Sequence, residues 1–418
     1  MMNQLFLNKF KQTVSILVMS VTNIEDAKVF LDRSDVDDDT YDLVSKMHSS
    51  PVLNHIRVMP DCHCSSYCCV GMTSLIDDKV IPQIVGGDIG CGIIAYNLNK
   101  IIKEKQYKKI DDYVKEKIPM GDRSHKKPIV GDENMETIYK KCNVKLEYLM
   151  ERFPDYNYNK FKFDKNYYSK LVSKLDVKTG STNFLRSLGT LGGGNHYIEF
   201  NSEENGNCYV SIHSGSRYLG QAICNFHQSR ITNKETYDKK RFLNNYLDGD
   251  NMVEYLIDMI FAQEFASYNR LVMLQVILYG LNIEYKEEKV IETIHNYIDF
   301  ERMILRKGAI SAEAGKQCII ALNMRDGILL CKGKGNEDWN YSSAHGCGRI
   351  MSRRDANMCF NMKDYKKCMQ DIYSSCINKD TLDEIPLAYK DVKLIKKSIG
   401  DSVEIIKQLK PIINIKGY

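Results

Sequence analysis

Four glycine-wrapped islands, each carrying a metal-ligating or nucleophilic side chain, are dispersed along this chain. They read Gly86-Gly87-Asp88-Ile89-Gly90-Cys91-Gly92, Gly192-Gly193-Gly194-Asn195-His196, His213-Ser214-Gly215-Ser216-Arg217 and His345-Gly346-Cys347-Gly348. Glycine allows tight turns and close approach of backbone to a ligand. Islands so far apart in sequence can share chemistry only if one fold brings them together. That constraint predicts a single α+β domain over residues 1–418.

The bulk numbers agree. A chain of 418 residues with 43% hydrophobic and 27% charged residues can bury a substantial core. A net charge of only +4 means that any polyanion site must be a local patch. There are 14 cysteines. The apolar run Val14–Val21 is short and lacks a following small-residue cleavage pattern, so it does not read as a secretory signal. No segment has the length of a membrane span. We therefore expect a cytoplasmic protein whose thiols are reduced, buried or metal-bound.

Periodicity supplies a coarse map. Ile56–Pro60, Ile93–Tyr96, Tyr197–Phe200 and Cys208–Ile212 read as strands, and Val80–Val85 as extended chain before a Gly-rich turn. Residues 100–118 read as a Lys-rich helix, and Met252–Leu281 as the strongest helix. Residues 133–175 suggest a peripheral helical insert, and Val392–Leu409 an amphipathic helix.

Asp88 and Cys91 sit three residues apart in a glycine turn, where a carboxylate and a thiolate can bind one cation, or the sulfur can bridge two. His196, His213 and His295 offer further ligands, and such a set suits Mn, Fe or Zn better than Mg. Each of these histidines can also be read as structural. The compact Cys62-His63-Cys64 run with Cys68-Cys69 lacks the second ligand pair of a structural zinc site, so packed free thiols fit it better. Leu191–His196 can cradle phosphate through backbone N–H groups, or be a plain turn. His345 among small residues can act as a nucleophile. A structural histidine in a tight loop satisfies the same pattern.

Taken in order, the islands and their flanks resemble the RtcB family of RNA-splicing and RNA-repair ligases. The matching residues include Met59-Pro60-Asp61-x-His63, Asp88-Ile89-Gly90-Cys91-Gly92, Leu188–His196 with Glu199, His213–Arg217, Asn269-Arg270, His295-Asn296, Lys332–Glu337, His345–Arg349, Asp383–Asp391 and Lys416-Gly417. The resemblance implies one large RtcB-like domain with mixed sheets, surrounding helices and a central metal cleft. It implies GTP and two Mn2+ per active site, and RNA partners with a 3′-phosphate or 2′,3′-cyclic phosphate on one end and a 5′-hydroxyl on the other. His345 would take up GMP. Asp88, Cys91, His196, His213 and His295 would hold the metals. Asn195, Glu199, Asn296, Asn323, Met324, Gly346, Cys347, Gly348, Tyr389 and Lys416 would face the nucleotide, and Arg217 and Arg353 the RNA. Some relatives work with a small protein activator.

Two departures mark a divergent branch. Ser65-Ser66-Tyr67 replaces a Gly-Lys-Gly run, and Ala321-Leu322-Asn323-Met324-Arg325 replaces Pro-Gly-Ser-Met-Gly. Two other functions remain open on the sequence: a metal-dependent phosphoesterase or cyclic-phosphate hydrolase, and a degenerate RNA-binding relative. The intact ligand set and His345 weigh against the second.

Overall fold

A seven-stranded antiparallel sheet frames a cavity that holds His345. Its strands run, in spatial order, Val290–Ile294, Gly92–Asn97, Cys208–Ser214, Tyr197–Ser202, Val403–Lys416, Ile328–Gly333 and Gln317–Ala321. The computed structural model describes residues 21–65, 67–158, 161–175, 184–231 and 242–417. The sheet nearly closes on itself: across its two edges, the Ile319 amide donates to Thr293 Oγ1 at 3.0 Å.

Strand side chains alternate between faces, and here the alternation divides packing from chemistry. On one face Ile94, Ile198, Phe200, Ile212 and Ile415 pack against Met273, Leu274 and Ile277 of the long helix Gly249–Gly280. On the other, Ile93, Ala95, Tyr209, Ile328 and Leu409 form an apolar floor. That same face carries a polar row. Tyr197 lies opposite both His213 and Lys416, and Glu199 opposite both Ser211 and Asn414.

A six-stranded sheet packs beside it, in the order Thr22–Ile24, Ala27–Val29, Asn54–Cys64, Cys69–Leu75, Ile304–Lys307, Asn296–Asp299. The chain crosses between the sheets at His295, whose amide donates to Cys91 O at 2.9 Å and whose carbonyl accepts from Gly308 N at 2.7 Å. The predicted α+β class with mixed sheets and surrounding helices holds. No described helix is long and apolar enough to cross a membrane.

The long helix fastens the islands together. Asn269, fully buried, accepts from the amides of Gly189 and Thr190 at 2.8 and 3.1 Å and donates to the carbonyls of Thr190 and Gly215, each at 3.1 Å. Arg270, also fully buried, donates to Gly90 O and Ser214 O, each at 2.7 Å, and to Glu292 at 2.9 Å. Gly90 must be glycine: its φ is +75°, and a Cβ there would lie 2.8 Å from Ala266 Cβ and 2.9 Å from Gln263 Cα.

Two local expectations fail. Pro82–Val85 forms a helical turn, not extended chain; proline fixes the φ a first helical residue needs. The predicted helix Val392–Leu409 stops at Ser398, and Val403–Lys416 is a 14-residue strand. The helical period of the sequence runs on across Gly400, where the chain turns between helix and strand. The strand is paired on both sides, with Ile328–Gly333 and Tyr197–Ser202, and this overrides local propensity. Within the 133–175 segment, Asp132–Arg152 and Tyr167–Lys174 are helices, and Ile138, Cys142 and Leu149 join the core around the long helix. The run Val14–Val21 lies outside the described residues except for Val21.

Replacing Asn269 by alanine strands several buried backbone partners at once. We predict that Asn269→Ala lowers unfolding stability by about 2–4 kcal/mol, measured by denaturant titration. A loss below about 0.5 kcal/mol, the range of ordinary surface changes, would show that the islands are held by other contacts.

Candidate active site

The first site element is a cluster of donors from three of the glycine islands and from His295. Cys91, from the Gly86–Gly92 loop, lies 3.2 Å from His213 Nε2 and 3.5 Å from His196 Nε2. His213 Nε2 lies 3.2 Å from His295 Nε2, and His196 Nε2 lies 3.1 Å from Asp88 Oδ2. The five form two three-donor groups, Cys91–His213–His295 and Asp88–Cys91–His196, which share the sulfur.

The rings are aimed. His196 Nδ1 bonds Leu191 O at 2.9 Å, and His213 Nδ1 bonds Asn195 O at 3.1 Å. A carbonyl accepts, so each Nδ1 carries the hydrogen and each Nε2 presents a lone pair inward. Burial, then neighbouring His196, pushes the His213 imidazole well below its ordinary value. Burial, then His345, does the same to His295. Lone pairs and a sulfur converging in a buried space repel one another unless a cation lies between them. The donor set therefore fits metal ions, and the shared sulfur fits a pair of them. Among the described residues these are the groups with such convergence; the Cys62–Cys69 region is not one, and all 14 cysteines are free.

His345 stands at the edge of this cluster, its ring centroid 4.8 Å from that of His295. It follows the short strand Ser342–Ala344. Fully buried Asp61 positions it. Asp61 Oδ2 accepts from the amides of His345 and Gly346 at 3.0 and 2.9 Å, and lies 2.6 Å from His345 Nδ1, off the axis of a straight hydrogen bond. Gly348 permits this approach: at φ +69°, a Cβ there would lie 2.0 Å from Asp61 O. With Nδ1 turned to the carboxylate, Nε2 is the free nitrogen. His63, on the same strand as Asp61, is lowered to about 4, chiefly by burial.

A cavity of about 290 Å³ extends from His345, His213 and His295 over the polar row of the sheet. Of the sequence-predicted nucleotide residues, Asn195, Glu199, Asn296, Asn323, Met324, Gly346, Cys347, Gly348, Tyr389 and Lys416 all line it. Glu199 Oε1 and Oε2 accept from Asn414 and Asn201 at 2.6 and 3.0 Å. Burial raises its carboxyl to about 7 despite these bonds and Lys416. Asn323 is tied to its own turn: its Oδ1 accepts from the amides of Arg325 and Asp326, each at 3.0 Å, and its Nδ2 donates to Asp326 at 2.8 Å.

Of the two predicted RNA-facing arginines, Arg353 lines this cavity and pairs with Asp383 and Glu384. Arg217 does not reach it. Its guanidinium donates to Gly121 O at 2.7 Å, beside a separate groove that Asp88 and His196 also line.

Two carboxylates at the site had no predicted role. Asp61 is one. Glu384 is the other: it pairs with Lys416 at 3.1 Å, accepts from Tyr389 Oη at 2.9 Å and contacts Arg349 and Arg353. Burial opposes its ionisation, but Lys416, Arg353 and Arg349 hold it at about 2. Both carboxylates stood inside matched motifs, and a carboxylate in a strand or turn carries no signal of burial.

Comparison with known proteins agrees with the motif order. The family model for tRNA-splicing ligase RtcB matches residues 43–417. RNA-splicing ligase RtcB of Escherichia coli (strain K12) is 28% identical, covering 88% of this chain and 91% of its own length. The tRNA-splicing ligases RtcB of Nanoarchaeum equitans and Methanococcus maripaludis are 27% and 24% identical, over 88% and 93% of this chain and 89% and 94% of theirs. With one family model covering the donor cluster, His345 and the cavity, this chain belongs to the RtcB family.

Proposed function

We propose that this chain is a cytoplasmic, GTP- and Mn2+-dependent RNA ligase. It joins an RNA 3′-phosphate or 2′,3′-cyclic phosphate end to a 5′-hydroxyl end, in RNA repair or tRNA splicing. The observation that carries this reading is His345, with Nδ1 against Asp61 and Nε2 free in the cavity beside the donor cluster. A phosphoesterase that activates water needs no such histidine.

In this reading His345 Nε2 attacks the α-phosphorus of GTP, and pyrophosphate leaves. The GMP then passes to the RNA 3′-phosphate, and the 5′-hydroxyl displaces it to form the phosphodiester. A cyclic phosphate end is opened first. Asp61 orients the ring and stabilises the positive charge it gains on attack, as a carboxylate does for a catalytic imidazole. Asp88, Cys91, His196, His213 and His295 would hold two Mn2+, which supply Lewis-acid stabilisation of phosphate charge. Glu199 is an acceptor suited to nucleobase N–H groups, and Lys416 beside it is held in place by Glu384. Asn323 contributes less than the motif suggests, since its side-chain amide serves its own turn.

Incubation with Mn2+ and α-labelled GTP is predicted to leave label on the denatured protein, and His345→Ala to take none. Asp61→Asn should slow labelling by roughly 10²-fold, the scale of a misplaced reacting group. Label on His345→Ala would contradict the role of this histidine. RNA-end hydrolysis by that variant, with no label on wild type, would favour the hydrolase.

Protonation removes the charge on Glu199 and turns one of its two acceptor oxygens into a donor. With its carboxyl at about 7, we predict that GTP binding weakens about tenfold from pH 8 to pH 6, following the ionised fraction. Titration with a fluorescent GTP analogue measures this. Glu199→Gln should flatten the profile, and an unchanged slope in that variant would place the titration elsewhere.

A further inference from the structure

The basic stretch from Lys100 to Lys127 mixes paired and free cations. On the helix Tyr107–Lys117, Lys108 pairs with Asp112, Lys115 with Asp111 and Lys117 with Glu116, while exposed Lys109 has no carboxylate partner among the described residues. In the following loop no cation is paired: Arg123, Lys126 and Lys127 are exposed, and they have no carboxylate partner among the described residues.

This loop is anchored to the glycine islands. The Gly121 amide donates to Gly192 O at 2.9 Å, and Gly121 O accepts from Arg217 at 2.7 Å. The His125 amide donates to Arg186 O at 3.0 Å, and Arg186 Nε returns a bond to His125 O at 2.6 Å. The loop borders a groove of about 310 Å³, lined by Asp122, Tyr218, Asp88 and His196 among others. The donor cluster is thus open on a second side, away from Glu199 and Lys416. Tyr218 is 49% exposed there, its hydroxyl 3.4 Å from Asp122 O.

The geometry points to this loop and groove as the docking strip for single-stranded RNA whose reactive end lies at the donor cluster. Arg123, Lys126 and Lys127 contact the phosphates of the strand leading away, and the Tyr218 ring offers a stacking face for a base. This rests on the ligase reading. Exposed cations on a loop that also holds an aromatic ring, here Tyr218 against Asp122, are components of sequence-tolerant single-strand binding. An acidic protein would use the cations, but would have no need of an opening onto the cluster.

The test measures affinity for a fluorescent 3′-phosphate RNA strand by anisotropy over a salt series. The full-length protein is compared with Arg123→Ala/Lys126→Ala/Lys127→Ala, and each is also labelled with GTP. The strip predicts at least about tenfold weaker RNA binding in the triple variant. It also predicts that the slope of log affinity against log salt shrinks by about 2, at ~0.7 per lost phosphate contact. GTP labelling should stay at the wild-type level, which also verifies folding, and Lys126→Arg/Lys127→Arg should bind RNA like wild type. Unchanged RNA affinity and slope in the triple variant would overturn the strip, as would a site for an acidic protein there, which gives that same result. Absence of GTP label on wild type would instead count against the ligase reading, and the RNA measurement does not depend on it.

Discussion

The buried pair Asn269–Arg270 is the contact on which the site depends. Glycine loops have little side-chain packing of their own, and their backbone amides and carbonyls need partners once buried. One asparagine and one arginine on a rigid helix supply partners to the loops at Gly90, Gly189–Thr190 and Ser214–Gly215. Asp88, Cys91, His196 and His213 project from these loops or their immediate continuations. The position of these four donors therefore traces back to one turn of the long helix, packed so closely that Gly90 has no room for a side chain.

The sheet supplies the second half of the arrangement. Its alternation sends Ile198, Phe200, Ile212 and Ile415 toward the helices, and Tyr197, Glu199, His213, Asn414 and Lys416 toward the cavity. Buried polar groups are costly unless bonded, and here they bond one another. Asn201 and Asn414 donate to Glu199, and Lys416 pairs with Glu384. The network fixes side chains before any ligand arrives, which is how a site binds without spending affinity on ordering itself. A carboxyl near 7 at Glu199 and one near 2 at Glu384 show the same cavity treating two acids oppositely. Burial dominates at Glu199. Three cations dominate at Glu384.

Much of this was legible in the sequence. Chemistry constrains residue type most where a ligand touches the chain, so the islands around Asp88, His196, His213 and His345 stood out, and the structure brings them together. Asp61 and Glu384 carry no such signal, because a single acidic residue looks the same in sequence whether it is solvated or buried against a histidine or a lysine. The C-terminal strand has a helical period in sequence, but pairing on both edges settles its form, and pairing partners are not visible along one segment. Which lysines of the Lys-rich helix are paired depends on where the fold sets Asp111, Asp112 and Glu116, and composition does not carry that.

The central claim is that His345 carries the nucleotide. Mass spectrometry of peptides from protein treated with Mn2+ and GTP, under conditions that preserve phosphoramidates, tests it most directly. The account predicts one guanylyl adduct, on the peptide containing His345 and joined to the imidazole. An adduct on another residue, or RNA joining that proceeds with His345 unmodified and replaceable, would contradict it.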